Sequence, residues 1–342
     1  MRRRDALKTF AWASILPQWL RPAAASAASI EPNAVEVYRS AFAALPQFTE
    51  AESALLTEAA TTTLSRASSS LVRRSRTVLN LLRQGADRTT CDWGDQWTGP
   101  AFDDSLQWLS GARRLARIGL LRARLSFEAG KTESAVQDLL AVLFLGRRLA
   151  AGGVMVAQII GFSTEHAAIE VAGTELFRID RINLRRLSDG FEALPPSLEF
   201  VDAVRSERAY FLGYVVPKET EIFDEAGIRK YLNEFDRLIA LASGSDSSSI
   251  DKALASSSFD ETRKLHPNLV AFRKPLAYIA VKRALFRAGT AIVRDGPDAL
   301  ANVVDPTDGA PFDQRTWSTG FRLTSRFALA GKPPAFLVVG RL

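Results

Sequence analysis

The chain has 342 residues, 47% apolar and 24% charged, enough for one or two buried cores and unlike disordered or collagen-like chains. Its formal charge of +6 is concentrated at the start, where Arg2, Arg3, Arg4, Lys8 and Arg21 stand against Asp5; without these, 39 basic residues face 37 acidic ones. So balanced a body argues against a nucleic-acid partner, and one cysteine with two histidines permits neither an internal disulfide nor an ordinary Cys/His zinc site.

Residues 1–28 read as an export signal: Arg3 to Lys8 is charged, Phe10 to Leu20 is apolar, and Ala23 to Ala28 is a small-residue string. Arg3-Arg4 followed by Leu7-Lys8 resembles the twin-arginine signal, with Ala6 where that pattern has Phe. This implies a periplasmic or secreted protein, exported by the twin-arginine route or, as the alternative, by ordinary Sec export, and cleaved near Ala25-Ser26-Ala27; an uncleaved signal acting as an anchor is the alternative to cleavage. Downstream, no apolar run reaches the roughly 18 residues of a membrane span, Val154 to Phe162 being the nearest.

The periodicity predicts a mainly α body over residues 29–303, an antiparallel helical-hairpin bundle or short solenoid, with a small β appendage over 304–342. Helices are expected at Asn33 to Ala44, from a capping box at Thr49 and Glu52, and at Ser68 to Arg83 with Gly85 closing it. Asp87 to Gly99 breaks the pattern as a loop carrying Cys91-Asp92-Trp93-Gly94. Asp104 to Ala129 then reads as a long helix, stopped at Gly130-Lys131, with a second from Thr132 to about Ala151. So short a connection makes the pair antiparallel. Val154 to Phe177 is apolar around most of its circumference and belongs at the centre of the bundle.

Further helices are expected at Asn183 to Leu194, Leu198 to Tyr214, Glu219 to Ala242 and Val270 to Asp295. Ser243 to Ser249 reads as a mobile linker, and His266-Pro267-Asn268 as the end of a loop and start of a helix. Pro275 either kinks the last helix or delays its start to Leu276. Asp305-Pro306-Thr307-Asp308-Gly309 reads as a turn, and Phe312 to Trp317, Gly320 to Arg326 and Ala335 to Val339 as short strands, the first two joined through Ser318-Thr319-Gly320.

Ala123, Glu128-Ala129-Gly130-Lys131 and Ala135 resemble one tetratricopeptide hairpin around its turn, without a second copy at that period. More broadly, Cys91 to Gly94, Arg122-Ala123-Arg124-Leu125 and Asp305-Pro306 with Gly309 and Pro311 resemble uncharacterised exported bacterial helical proteins. That resemblance implies an exported helical fold and no particular activity.

Three groups carry candidate chemistry. Cys91 and Asp92 sit in the loop, where a cysteine nucleophile would need a base such as His166; otherwise Trp93 and Trp97 pin the loop while Asp92 caps amides and Cys91 is buried. Glu165 and His166, with Glu170 four residues on, offer an acid/base pair or a polar network between helices. Arg113, Arg117 and Arg124 share one helical face suited to phosphate, anionic lipid or a partner's acidic surface; the alternative is that they are solvated or paired. Phosphate loops, nucleophile elbows, dinucleotide fingerprints and heme-attachment motifs are missing from the sequence. The expectation is an interaction or scaffolding module facing a protein partner in the cell envelope, without cofactor or metal. The alternatives are an enzyme using Cys91, Asp92, Glu165 and His166, or a small-molecule or lipid binder.

Overall fold

The computed structural model describes residues 33–94, 102–219, 221–244 and 246–341. The export signal read over residues 1–28 and Trp97 lie outside the described residues. The rest is mainly α, with a three-stranded sheet at the C-terminal end.

Local chemistry sets most helix starts. Asn33 caps α1 (Ala34–Ala43) by accepting the Val35 amide at 3.2 Å. The expected box opens α2 (Glu50–Thr57): Thr49 Oγ1 accepts the Glu52 amide at 3.2 Å and Glu52 accepts the Thr49 amide at 3.0 Å. The helix read as continuous from Ser68 to Arg83 is instead two, α3 (Arg66–Arg74) and α4 (Arg76–Ala86). At Ser75 the amide reaches back to both the Leu71 and Val72 carbonyls, a tightened turn that redirects the chain. That turn lets α3 lie on α5 while α4 packs between α1 and α6. Gly85 does not close α4; it lies within it, where an added Cβ would stand 2.4 Å from the buried Tyr38 ring.

The centre is formed by α5 (Phe102–Glu128), α6 (Thr132–Gly152) and α7 (Met155–Glu175). Gly130, at φ +70°, makes the expected turn between the first two, and Ala123 and Ala135 beside that turn are fully buried. A second short turn at Gly153-Val154 makes α7 run parallel to α5. Helices α6 and α7 pack backbone to backbone at Gly146 and Gly161, where a Cβ on Gly161 would come 2.4 Å from the Gly146 carbonyl oxygen. As its all-round apolar pattern predicts, α7 touches α5, α6, α14 and the sheet.

Asp180 caps α8 (Arg181–Glu192), and α9 (Phe200–Tyr210) runs through a π-helical turn at Phe211–Val215 into α10 (Val216–Lys218). The helix expected from Glu219 begins later, as α11 (Glu225–Gly244), where Asp224 Oδ1 accepts the Gly227 amide at 2.7 Å. Most of the expected linker is helical. Asp246 accepts the Ser249 amide at 2.8 Å and starts α12 (Ser247–Ala255), so a serine-rich composition that reads as loop is an N-terminal first turn. After α13 (Asp260–Leu265), α14 (Pro267–Asp295) starts at Pro267 and carries Pro275 inside it.

Two apolar clusters result. The larger joins α1 to α8, the second half of α14 and the sheet; the smaller joins Phe162, Phe200, Phe211, Phe235, Ile250 and Phe272 around the first half of α14. The appendage is an antiparallel meander of β1 (Asp313–Trp317), β2 (Gly320–Ala328) and β3 (Pro334–Gly340); its first turn falls within the expected Ser318-Thr319-Gly320 connection, with Gly320 already paired to Trp317 as the first residue of β2. Leu323, Leu337 and Val339 are fully buried, and β3 lies against α7 and α14.

Candidate functional site

The Cys91 loop is held from three sides. Asn33 binds Asp92 twice, donating to its carbonyl at 2.6 Å and accepting its amide at 3.0 Å, while Asp92 Oδ1 accepts the Gly94 amide at 2.8 Å. Trp93 is buried against Gly152 and donates Nε1 to the Arg148 carbonyl at 3.1 Å. Burial pushes the Cys91 thiol up to about 11; the Arg148 cation opposes the rise and Asp92 adds to it. At neutral pH the sulfur is therefore protonated. Among the described residues no hydrogen bond or ion pair joins this loop to His166, which pairs with Glu170 at 3.3 Å and meets the Tyr278 ring edge-on.

Glu165 sits at the α6–α7 contact, carried there by the Gly146/Gly161 approach. Its Oε1 accepts from Arg147 Nη2 and Arg283 Nε, both at 2.8 Å, and its Oε2 from Arg283 Nη2 at 2.6 Å. Both arginines also donate to Ser197 Oγ, and Arg147 to the Pro195 carbonyl. Burial alone raises the Glu165 carboxyl, but the two guanidiniums outweigh it and hold it below the usual carboxylate range. One turn on, Glu170 binds His166 and the buried Lys282, which also donates to the Phe336 carbonyl and so fastens β3 to α14.

These partners escape sequence reading. Arg147 and Arg148 are adjacent cations on α6, yet both are buried, Arg148 donating to Tyr38 Oη at 3.1 Å. Asp138, fully buried on α6, takes Arg83 and Arg122. Only its place on the inner face of an amphipathic helix hints at this. A further cluster has no signal in the local sequence: Tyr214 and Lys218 both donate to Asp103 Oδ atoms beside the stacked Tyr210 and Tyr214 rings.

The expected basic face divides. Arg124 donates to the Ala59 carbonyl at 3.0 Å and feels Glu175 and Glu128 nearby, and Arg114 lies over the Phe48 ring. Arg113 and Arg117 differ: among the described residues neither has a carboxylate partner within ion-pair distance. One turn apart, they line a cleft of about 220 Å³ between α5, α7 and the end of α2, where the Thr57 and Ser163 hydroxyls donate to the Ser53 and Ile159 carbonyls of their own helices. Burial, then the like charge of Arg113, lowers the Arg117 pKa. The cleft thus holds two adjacent cations with no carboxylate between them among the described residues.

Arg113 to Leu120 of α5 lie beside Ser163 to Ala167 of α7, and one to two turns nearer the N-terminus of each helix in sequence stand Leu106 on α5 and Val156 and Ile159 on α7. They are 41%, 40% and 42% exposed, large apolar side chains left in solvent. Among the described residues no cluster of three or more Cys, His, Asp and Glu is placed to hold a metal, and no helix is long and apolar enough to cross a membrane. No protein-family model, curated protein or solved structure matches the chain.

Proposed function

We propose that the protein is an interaction module working on the outer side of the cytoplasmic membrane, and that it docks an acidic segment of a protein partner in the α5/α7 groove. The observation that carries this reading is the pair Arg113 and Arg117, without a carboxylate among the described residues in a chain whose other central arginines are nearly all engaged. An Asp or Glu side chain in the cleft receives both guanidiniums, and apolar residues one or two turns along the partner cover Leu106, Val156 and Ile159. The envelope location rests on the export-signal pattern of residues 1–28.

The enzyme reading has less support. The Cys91 thiol is held protonated, and the Glu165 carboxylate is fully engaged by two arginines.

The test is charge reversal in the native host. Tagged wild type and an Arg113→Glu/Arg117→Glu variant are crosslinked in the cell envelope, recovered and compared by quantitative mass spectrometry. The expected result is at least one protein recovered roughly tenfold less with the variant, retained by Arg113→Lys/Arg117→Lys, and regained when an acidic residue at its crosslinked site is changed to Arg or Lys. Equal recovery by wild type and the reversed variant would overturn the reading.

A further inference from the structure

A second, larger cleft lies away from Arg113 and Arg117. It measures about 1010 Å³ and opens where the smaller apolar cluster meets the C-terminal appendage. Its walls come from the start of α9, from α12, from the middle of α14 and from two appendage segments, Pro306-Thr307 and Phe327 to Ala330. Ligand clefts in proteins usually span about 300–1,000 Å³ and combine an apolar lining with a few placed polar groups. Here Ile250, Leu276, Ala277, Ala280 and Phe327 give an apolar floor.

One buried carboxylate builds the appendage wall. Asp305 is 1% exposed; it accepts the Thr307 amide at 2.9 Å and the Thr307 hydroxyl at 2.6 Å, and on the other side takes the Ser325 hydroxyl. Ser325 in turn accepts the Phe327 amide at 2.8 Å. This stretch is where β2 leaves register with β3: Thr324 faces Phe336 and Ala328 faces Pro334, so three residues of β2 oppose one of β3. Such a bulge re-aims side chains, and here it places Phe327 on the cleft while Asp305 locks it to Pro306-Thr307. The Asp-Pro-Thr turn of the sequence thus gains a role beyond reversing the chain.

The charges at the mouth are uneven. Lys252 and Lys274 are exposed and without a carboxylate partner within ion-pair distance among the described residues. Of the acids on the cleft, Asp251 is taken by Arg273, which also donates to the Ser247 carbonyl and hydroxyl at 2.8 Å. Glu199 is the other, at the N-terminal cap of α9.

From the apolar floor and the two free lysines we infer that this cleft binds a single-chain amphiphile with an acidic head, its acyl chain along Leu276, Ala280 and Phe327 and its carboxylate or phosphate against Lys252 and Lys274. The site is separate from the Arg113/Arg117 groove. Either can fail without the other.

The test uses the mature chain stripped of lipid and titrated calorimetrically, below their micelle concentrations, with palmitate, lysophosphatidylglycerol and the neutral hexadecanol. Saturable one-to-one binding of palmitate assigns a carboxylate head, of lysophosphatidylglycerol a phosphate head, and either result supports the site. Ala277→Trp, which fills the floor, abolishes binding, with its thermal melt serving as the folding control. Lys252→Glu/Lys274→Glu, two surface changes, weakens the acidic ligands at least tenfold and hexadecanol less than threefold. Arg113→Glu/Arg117→Glu binds as wild type does. Binding of neither acid, full binding by a folded Ala277→Trp variant, or equal weakening of acid and alcohol by the lysine reversal would each overturn the inference.

Discussion

Removing the Glu165 carboxylate is the sharpest perturbation of this fold. The carboxylate is fully buried and takes three hydrogen bonds of 2.6–2.8 Å from Arg147 and Arg283, whose side chains are each 5% exposed. In Glu165→Ala the two guanidiniums stay buried beside one another, with Ser197 and the Pro195 carbonyl as their remaining partners. Leaving buried charges uncompensated costs about 3–5 kcal/mol. The triple change Glu165→Leu/Arg147→Met/Arg283→Met removes all three charges together and is expected within about 1 kcal/mol of wild type, or above it. Urea denaturation at pH 7 reads both as shifts in midpoint at constant slope. The pH dependence supplies a second check. The folded carboxyl titrates below its unfolded value, about 4.3, so its contribution is complete above that pH and is lost as pH falls through the lower folded value. The gap between wild type and Glu165→Gln therefore holds from neutral pH down to about 4.3 and closes below it. A Glu165→Ala variant within about 1 kcal/mol of wild type at pH 7 would refute the buried triad.

Three further outcomes follow from single sites. Cys91, with its thiol pushed up to about 11, reacts with iodoacetamide at a rate that climbs about tenfold per pH unit from 7 to 10; a plateau by pH 8 would mean a free thiolate instead. Gly85→Ala drives a methyl into the Tyr38 ring and lowers stability by about 1–3 kcal/mol by urea denaturation, and an unchanged midpoint would contradict that packing. Burial depresses the Lys282 pKa against the pull of Glu170, so the unfolded chain holds the proton longer. Wild type should therefore gain stability relative to Lys282→Met as pH rises towards the ordinary value of 10.5; a gap that shrinks or stays flat all the way to 10.5 contradicts the buried position.

The sequence was readable wherever local chemistry decides the structure. The Thr49 capping box, the Gly130 turn, the antiparallel α5–α6 pair and the Ser318-Thr319 hairpin all follow from residues within a few positions of one another. It misled where composition and capping point opposite ways: Asp246 followed by three serines looks like a linker, yet the same residues satisfy the orphan amides of a helix start. Ser75 hid a break because apolar spacing continues across it. At the sites, Glu165 and the Arg113/Arg117 face could be singled out, but their circumstances could not. Arg283 lies 118 residues from Glu165, and whether an arginine on α5 has a partner depends on which helices come to lie beside it. Sequence spacing shows which residues share a face, whereas the neighbour opposite that face is a property of the fold.

The central claim is that Arg113 and Arg117 form an open anion site. Its most direct measurement is an NMR titration of the arginine Nε–Hε signals with a leucine-containing, glutamate-rich helical peptide. The account predicts that the Arg113 and Arg117 signals move together and saturate, that raised salt reverses the change, and that Arg122, already bound to Asp138, stays in place. Shifts spread evenly over the exposed arginines, or none at Arg113 and Arg117 at saturating peptide, would contradict it.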